Sequence, residues 1–238
     1  MDPIVKHVIN SLNKANTFKT KLPKDIFNLE GMSGVKTRIF YNEISSLPDT
    51  VYFEVGSWKG SSLCSSGYGN SAKLYCVENW SMWGGPRDEF QKNTQKFGLN
   101  PIVFEEDFNT FDPSQIRDKI MVYLYDGDHS YDAQKLAITK MWDSLADTSI
   151  IMVDDWNNEL DVKKGTLDGL EEVGAEIVER IEIQYAVDPS HPLYDPQWCI
   201  ISEQGTKAVH TPIPVAQHEF WNGIGVFIVK KPVTTVHV

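Results

Sequence analysis

The chain has 238 residues, 41% hydrophobic and 23% charged, and its 33 acidic against 22 basic side chains leave a net charge of −11. These values fit one α/β domain with additions and disfavour a long nucleic acid partner, which needs clustered Lys and Arg. No run reaches the roughly 18 apolar residues of a membrane span, the opening MDPIVKHVINSLNKA lacks the pattern of a secretory leader, and Cys64, Cys76 and Cys199 form no CxxC or Cys/His cluster, so a cytoplasmic protein without a membrane partner is expected.

Ile4, Val5, Val8, Ile9 and Leu12 recur on one face of a first helix, and Phe40, Ile44 and Leu47 do so in TRIFYNEISSL. Together they predict an N-terminal helical cap over residues 1–48, ahead of a core domain over 49–238. In that core, short β-rich runs alternate with helical patterns. TVYFEVG precedes SSLCSSGY, KLYCVEN precedes RDEFQKNTQKFGL, and PIVFEED follows. IMVYLYDGD leads into a helix with Ala133, Ala137, Met141 and Leu145 spaced at four, and SIIMVDDW into ELDVKKGTLDGLEEVG, with Leu160, Leu167 and Leu170 on one side. Such alternation predicts βαβ units, hence a Rossmann-like α/β fold with a mostly parallel sheet and helices on both faces. EIVERIEIQYAV and GIGVFIVKK have no clear helix between them and predict a closing pair, seven strands in all, the last antiparallel. Their connection, about residues 186–222, is long enough to read as a substrate lid or an insertion.

Ligands of parallel α/β sheets sit beyond the carboxyl ends of the strands, and here those ends are acidic. The first ends in Glu54-Val-Gly56-Ser57-Trp58-Lys59-Gly60-Ser61-Ser62, where Gly56 and Gly60 permit a tight turn and close backbone approach to a ligand. This ExGxxxG spacing differs from the GxGxxG dinucleotide fingerprint and so argues against a nicotinamide-dependent oxidoreductase. Glu78 ends the second strand, where a carboxylate can accept from both ribose hydroxyls of an adenosine-containing cofactor. At the end of the third, Glu105-Glu106-Asp107-Phe108 offers an acceptor for an adenine amine and a ring to pack on the base. Asp126-Gly-Asp128-His129 and Asp154-Asp155-Trp156 end the fourth and fifth strands. Crowded carboxylates call for a cation, and hard oxygen ligands favour Mg²⁺ or a similar divalent ion on Asp126 with one or both of Asp154 and Asp155. His129 titrates near neutrality and suits a general base.

In this order, EVGSWKGSS, Glu78, EEDF, DGDHSY and VDDW resemble the class I S-adenosylmethionine-dependent methyltransferases over about residues 35–160. DGDHSY with its downstream acidic pair looks closest to the branch holding the metal-dependent O-methyltransferases of catechol and caffeoyl type and the macrocin-type sugar O-methyltransferases. The resemblance implies S-adenosyl-L-methionine as cofactor, with Glu54 and Gly56 along its methionine part, Ser62 on its carboxylate, Glu78 on the ribose and Asp107 on the adenine amine. Ser57, Trp58 and Gly60 of the turn, Asn79 and Trp80 after Glu78, Phe108 and Asp126 complete that set, and Thr37 and Arg38 in VKTRIF are implied to reach the cofactor as well. Asp126, Asp154 and Asp155 are the implied metal ligands. The catechol branch has a lysine where His129 stands; the sugar-methylating branch has a histidine base there. The implied activity is therefore methylation of a hydroxyl on a small-molecule or glycan acceptor, with His129 and Asp126 catalytic. A phenol or catechol acceptor, and a cofactor-binding module without catalysis, are the alternatives. The Asn/Asp-Pro-Pro-aromatic run of nucleic acid amino-methylating enzymes is absent. Trp80, Trp83, Tyr131, Trp156 and Trp198 are candidates to stack on an acceptor ring. Nothing in the sequence marks an oligomeric state.

Overall fold

Strands that are apolar on both sides must be covered on both sides, and this dictates three layers. In β1 (Val51–Val55), Tyr52 and Glu54 point to one face while Phe53 and Val55 point to the other, and all four are buried. The computed structural model describes residues 1–156, 159–183, 197–202, 207–212, 220 and 222–232, with the backbone alone for 159, 197–202 and 207–212.

Three helices precede the sheet: α1 (Pro3–Asn16), α2 (Lys24–Phe27) and α3 (Val35–Ile44). Asp2 caps the first, its carboxylate accepting from the amide of Ile4 at 2.9 Å, and Pro3 supplies a preset φ at the first helical position. The alternation then runs β1, α4 (Ser61–Gly67), β2 (Lys73–Val77), α5 (Arg87–Lys96), β3 (Ile102–Phe104), β4 (Ile120–Tyr125), α6 (Tyr131–Met141), β5 (Leu145–Asp154), α7 (Lys164–Glu172), β6 (Glu176–Ile183), β7 (Gln197–Ser202), β8 (Lys207–Pro212) and β9 (Ile224–Lys230). The strands form one sheet in the order β3-β2-β1-β4-β5-β9-β6-β7-β8. β1 to β5 are mutually parallel, and β9 runs antiparallel between β5 and β6.

The expected seven-stranded, mostly parallel sheet with an antiparallel last strand is thus present, and β7 and β8 lengthen it at the β6 edge. Those two strands fall within the stretch read as a lid. Its remainder lies outside the described residues, apart from Phe220 and the turn at 222–223 that leads into β9.

One core lies between the sheet and the helices α1, α3 and α4, joining Val8, Leu12, Phe40 and Ile44 to Tyr52, Val122, Met152 and Val226. The N-terminal helices therefore share their core with one face of the sheet. Opposite, Phe53, Tyr123, Ile151 and Phe227 pack with Ala137, Met141 and Leu170 of α6 and α7. Two spacings mislead. Leu145 opens β5 instead of extending α6, and Leu160 is 81% exposed, because a π-helical turn over Glu159–Lys163 shifts the phase and buries Val162 instead.

Phe53 is the hub of an aromatic cluster, with the rings of Tyr75, Phe104, Phe111 and Tyr123 centred 5.7 to 6.5 Å away. Truncating it to alanine removes contacts to four partners and leaves a cavity, so Phe53→Ala should lower unfolding free energy by about 3–5 kcal/mol in urea titrations. A loss below about 1 kcal/mol would show that the cluster does not hold the sheet.

Candidate active site

The carboxyl ends of β1 to β5 open onto one cavity of about 470 Å³. Its wall includes Gly56 and Trp58 after β1, Glu78, Asn79 and Trp80 after β2, Asp107 and Phe108 after β3, Asp126 and His129 after β4, and Asp154 and Asp155 at β5. Parallel strands whose ends align make this convergence unavoidable.

Gly56 packs directly against the end of the fourth strand. Its φ is +83°, and a Cβ there would lie 1.9 Å from the carbonyl oxygen of Asp126, a separation no side chain tolerates. Just below, Glu54 is wholly buried and accepts hydrogen bonds from the Tyr52 hydroxyl at 2.5 Å and the Ser62 hydroxyl at 2.8 Å. It braces the glycine turn from beneath and does not line the cavity, and the Ser62 hydroxyl that the resemblance assigns to the cofactor is committed to it. Ser57 and Gly60 likewise belong to the turn without lining the cavity.

Glu78 links two loops: one carboxylate oxygen accepts from the amide of Trp58 at 2.9 Å, the other from that of Trp80 at 2.8 Å. Each oxygen keeps a lone pair for a further donor. The indole of Trp80 donates to the carbonyl of Trp58 at 2.8 Å and closes the brace. Across the cavity, Asp107 accepts from the amide of Asn109 at 2.7 Å and from the Asn79 amide group at 3.2 Å. Lys140 donates to the carbonyls of Phe108 and Asn109 and fixes that turn. Phe108 meets Tyr125 edge-on at 5.5 Å, so its ring is already placed.

At the β4–β5 corner, Nε2 of His129 lies 2.9 Å from Oδ2 of Asp155. Ligand atoms of Asp126, His129 and Asp155 all fall within 4.8 Å of one another, a spacing that fits a divalent cation. Asp154, implied as a ligand, is not in this group. It is the last residue of β5 paired to the sheet, opposite Ile224, and its Oδ1 is buried without a hydrogen-bond partner. Asp155 has left the sheet with φ +53° and carries its carboxylate to the imidazole.

Burial sets the electrostatics. Withdrawal from water raises the carboxyl of Asp126, with Asp155 and Glu54 adding repulsion, and it lifts Asp154 well above the carboxylate range, with Asp126 and Asp155 adding to it. Burial pushes Glu54 to about 7 against the hydrogen bonds of Tyr52 and Ser62, which lower it. His129 is raised, chiefly by its hydrogen bond to Asp155. Crowded, desolvated carboxyls of this kind mark a place where positive charge is wanted.

Arg38 and Thr37 are buried in α3, away from the cavity wall. The Arg38 guanidinium donates to the carbonyls of Ile26, Leu29 and Ser33 and to the Ser33 hydroxyl, at 2.7 to 3.1 Å. It shapes the loop that brings Met32 to the cavity. Sequence reasoning missed Met32, Met82, Tyr125 and Asn222 as lining residues; the Asn222-Gly223 turn dipeptide ahead of β9 was the one available signal. Of the ring-stacking candidates, Trp80 and Trp83 line the cavity. Trp156 is fully buried, Tyr131 donates to Asp168 of α7 at 2.7 Å, and Trp198 lies where only backbone is described.

A raised carboxyl makes stability fall with pH. Between the ordinary value of 4.5 and about 7 the folded chain retains a proton on Glu54 that the unfolded chain releases, so this contribution is lost as pH climbs through that window. Glu54→Gln should narrow the difference in unfolding free energy between pH 5 and pH 8. A pH dependence identical to that of the parent protein would contradict the burial of an ionisable group there.

Comparisons place this geometry. Residues 53–156 match a family model described as a methyltransferase domain. A candidate RNA methyltransferase from Pyrococcus horikoshii superposes with a TM-score of 0.51 at 13% identity, covering 99% of each chain. A candidate O-methyltransferase from Klebsiella pneumoniae gives 0.52 at 11%, covering 97% of this chain and 91% of that one. A ribosomal protein L11 methylase from Lactobacillus delbrueckii subsp. bulgaricus gives 0.51 at 9%, covering 83% and 78%. Comparison with the curated proteins finds no match. At such identities these structures are alike in fold alone. The chain has the fold of these methyltransferase structures, and the stretch carrying the glycine turn and the acidic strand ends falls within the match to the methyltransferase-domain model.

Proposed function

We propose that the protein transfers the sulfonium methyl of S-adenosyl-L-methionine to a hydroxyl oxygen of a small acceptor, a sugar or glycan, with His129 as general base. The observation that carries this reading is the His129–Asp155 contact of 2.9 Å, set on the wall of the cavity that also holds Glu78 and Asp107. With Nε2–H donating to Asp155, the imidazole keeps its basic lone pair on Nδ1. Asp155 then stabilises the imidazolium that forms.

Glu78 would hold the ribose hydroxyls through its remaining lone pairs, and Asp107 would hold the adenine amine beside the Phe108 ring. The carboxylates on this wall would stabilise the sulfonium of a bound cofactor. As the acceptor oxygen attacks in line, the O–C bond forms while the S–C bond breaks, the hydroxyl proton passes to His129, and S-adenosylhomocysteine leaves as a neutral thioether. A divalent ion resting on Asp126 and Asp155 would lower the pKa of the hydroxyl and orient it.

Among the described residues, seven acidic side chains and neither lysine nor arginine line the cavity, which supports a small acceptor over a long polyanion. Trp80, Trp83 and Met82 at the wall suit the apolar face of a sugar ring; they suit a phenol equally, and that acceptor is the second reading.

The test incubates the protein with isotope-labelled cofactor and panels of glycans and phenols, with and without Mg²⁺, and follows methyl transfer by mass spectrometry. His129→Ala should lower turnover by about 10²–10⁴-fold while cofactor binding by equilibrium dialysis is unchanged. Turnover equal to the parent's would refute the base. Chelation with EDTA should abolish most transfer if the ion acts as described; full activity would leave the carboxylates as hydrogen-bond acceptors only.

A further inference from the structure

Trp156 directly follows Asp155, is completely buried, and does not itself line the cavity. Its ring lies against Gly225 of β9, where an added Cβ would meet three ring atoms at 2.5 to 2.8 Å. Its indole nitrogen donates to Oε2 of Glu182 in β6 at 2.9 Å. Glu182 is held in turn by Arg180 at 2.5 Å and Lys163 at 3.5 Å. Phe227 packs edge-on at 5.4 Å, and the Trp156 amide points to the Gly223 carbonyl at 3.4 Å.

A side chain fixed at both its backbone and its ring tip leaves its predecessor little freedom. Asp155 is caught between the end of β5, paired to β9 through Asp154 and Ile224, and this anchored indole. Its φ of +53° is the conformation that spans the two, and it delivers Oδ2 to Nε2 of His129. Aspartate is among the few residues that adopt such a φ at modest cost.

We infer that Trp156, seated on Gly225 and tied to Glu182, is a positioning residue that sets the Asp155–His129 contact and thereby the direction of the base nitrogen. The catalytic half of this inference rests on the function proposed above; the geometric half does not. Partners that orient an acting group in this way are worth about 10–100-fold in activity when removed.

The test uses the full-length protein and three variants. Trp156→Phe keeps the bulk of the ring and loses the donor, Glu182→Leu loses the acceptor, and Glu182→Gln keeps it. Trp156→Phe and Glu182→Leu should lower kcat at least tenfold with KM for cofactor and acceptor unchanged, and Glu182→Gln should restore it. Independently, the imidazole nitrogen resonances of His129, recorded at one pH without cofactor, should shift in Trp156→Phe and Glu182→Leu toward those of Asp155→Asn, and stay at the parent position in Glu182→Gln. Unmoved resonances in Trp156→Phe and Glu182→Leu would overturn the inference, as would Glu182→Gln behaving like Glu182→Leu. If the resonances respond as expected but the parent protein methylates no acceptor, the proposed function fails and the positioning role stands.

Discussion

The contact between the ends of β1 and β4 governs the rest of the site. At Gly56 the two backbones approach until the space of a Cβ is taken by the carbonyl of Asp126. This closeness lets a turn and an acidic strand end share one wall, and there Glu54 and Asp155 help to raise the carboxyls of both Asp126 and Asp154. The fold bears that repulsion because the parallel sheet around it is apolar on both faces. A bound sulfonium and a divalent ion would relieve it, so the energetic cost sits where ligand binding can offset it.

Backbone strain is concentrated in the same place. Among the described residues, seven that are not glycine have a left-handed φ, and five of them, Trp58, Trp80, Trp83, Asp155 and Asn222, line the cavity. Tryptophan gains nothing from that conformation, so something must hold it. For Trp58 and Trp80 the holder is the Glu78 carboxylate, which takes both amides. The same group that would grip the ribose therefore also maintains the loops around it, and loss of Glu78 would disturb shape as well as charge.

Much of this was legible in the sequence, because strand–helix alternation has a strong period and the strand ends are consecutive acidic residues. Gly56, Glu78, Asp107, Asp126, His129 and Asp155 could be placed at one edge from order alone. Tertiary hydrogen bonds were not legible. Arg38, implied by the resemblance to reach the cofactor, is spent on loop carbonyls, and the Ser62 hydroxyl is taken by Glu54. Nor could composition separate Asp154 from Asp155: their different placement follows from the last β5–β9 pair, which holds Asp154 in the sheet, and from the φ of +53° with which Asp155 leaves it. Leu160 misled for a local reason, since a π-helical turn breaks the helical period on which its assignment rested.

The proposed function requires that successive acidic strand ends form one receptor for an adenosyl sulfonium. Calorimetric titration of the intact protein with S-adenosylhomocysteine tests it most directly. One-to-one binding that weakens at least tenfold in Glu78→Ala, together with no response to a nicotinamide dinucleotide, is the predicted result. Absence of binding by either S-adenosylhomocysteine or S-adenosylmethionine, or an affinity indifferent to Glu78, would contradict it.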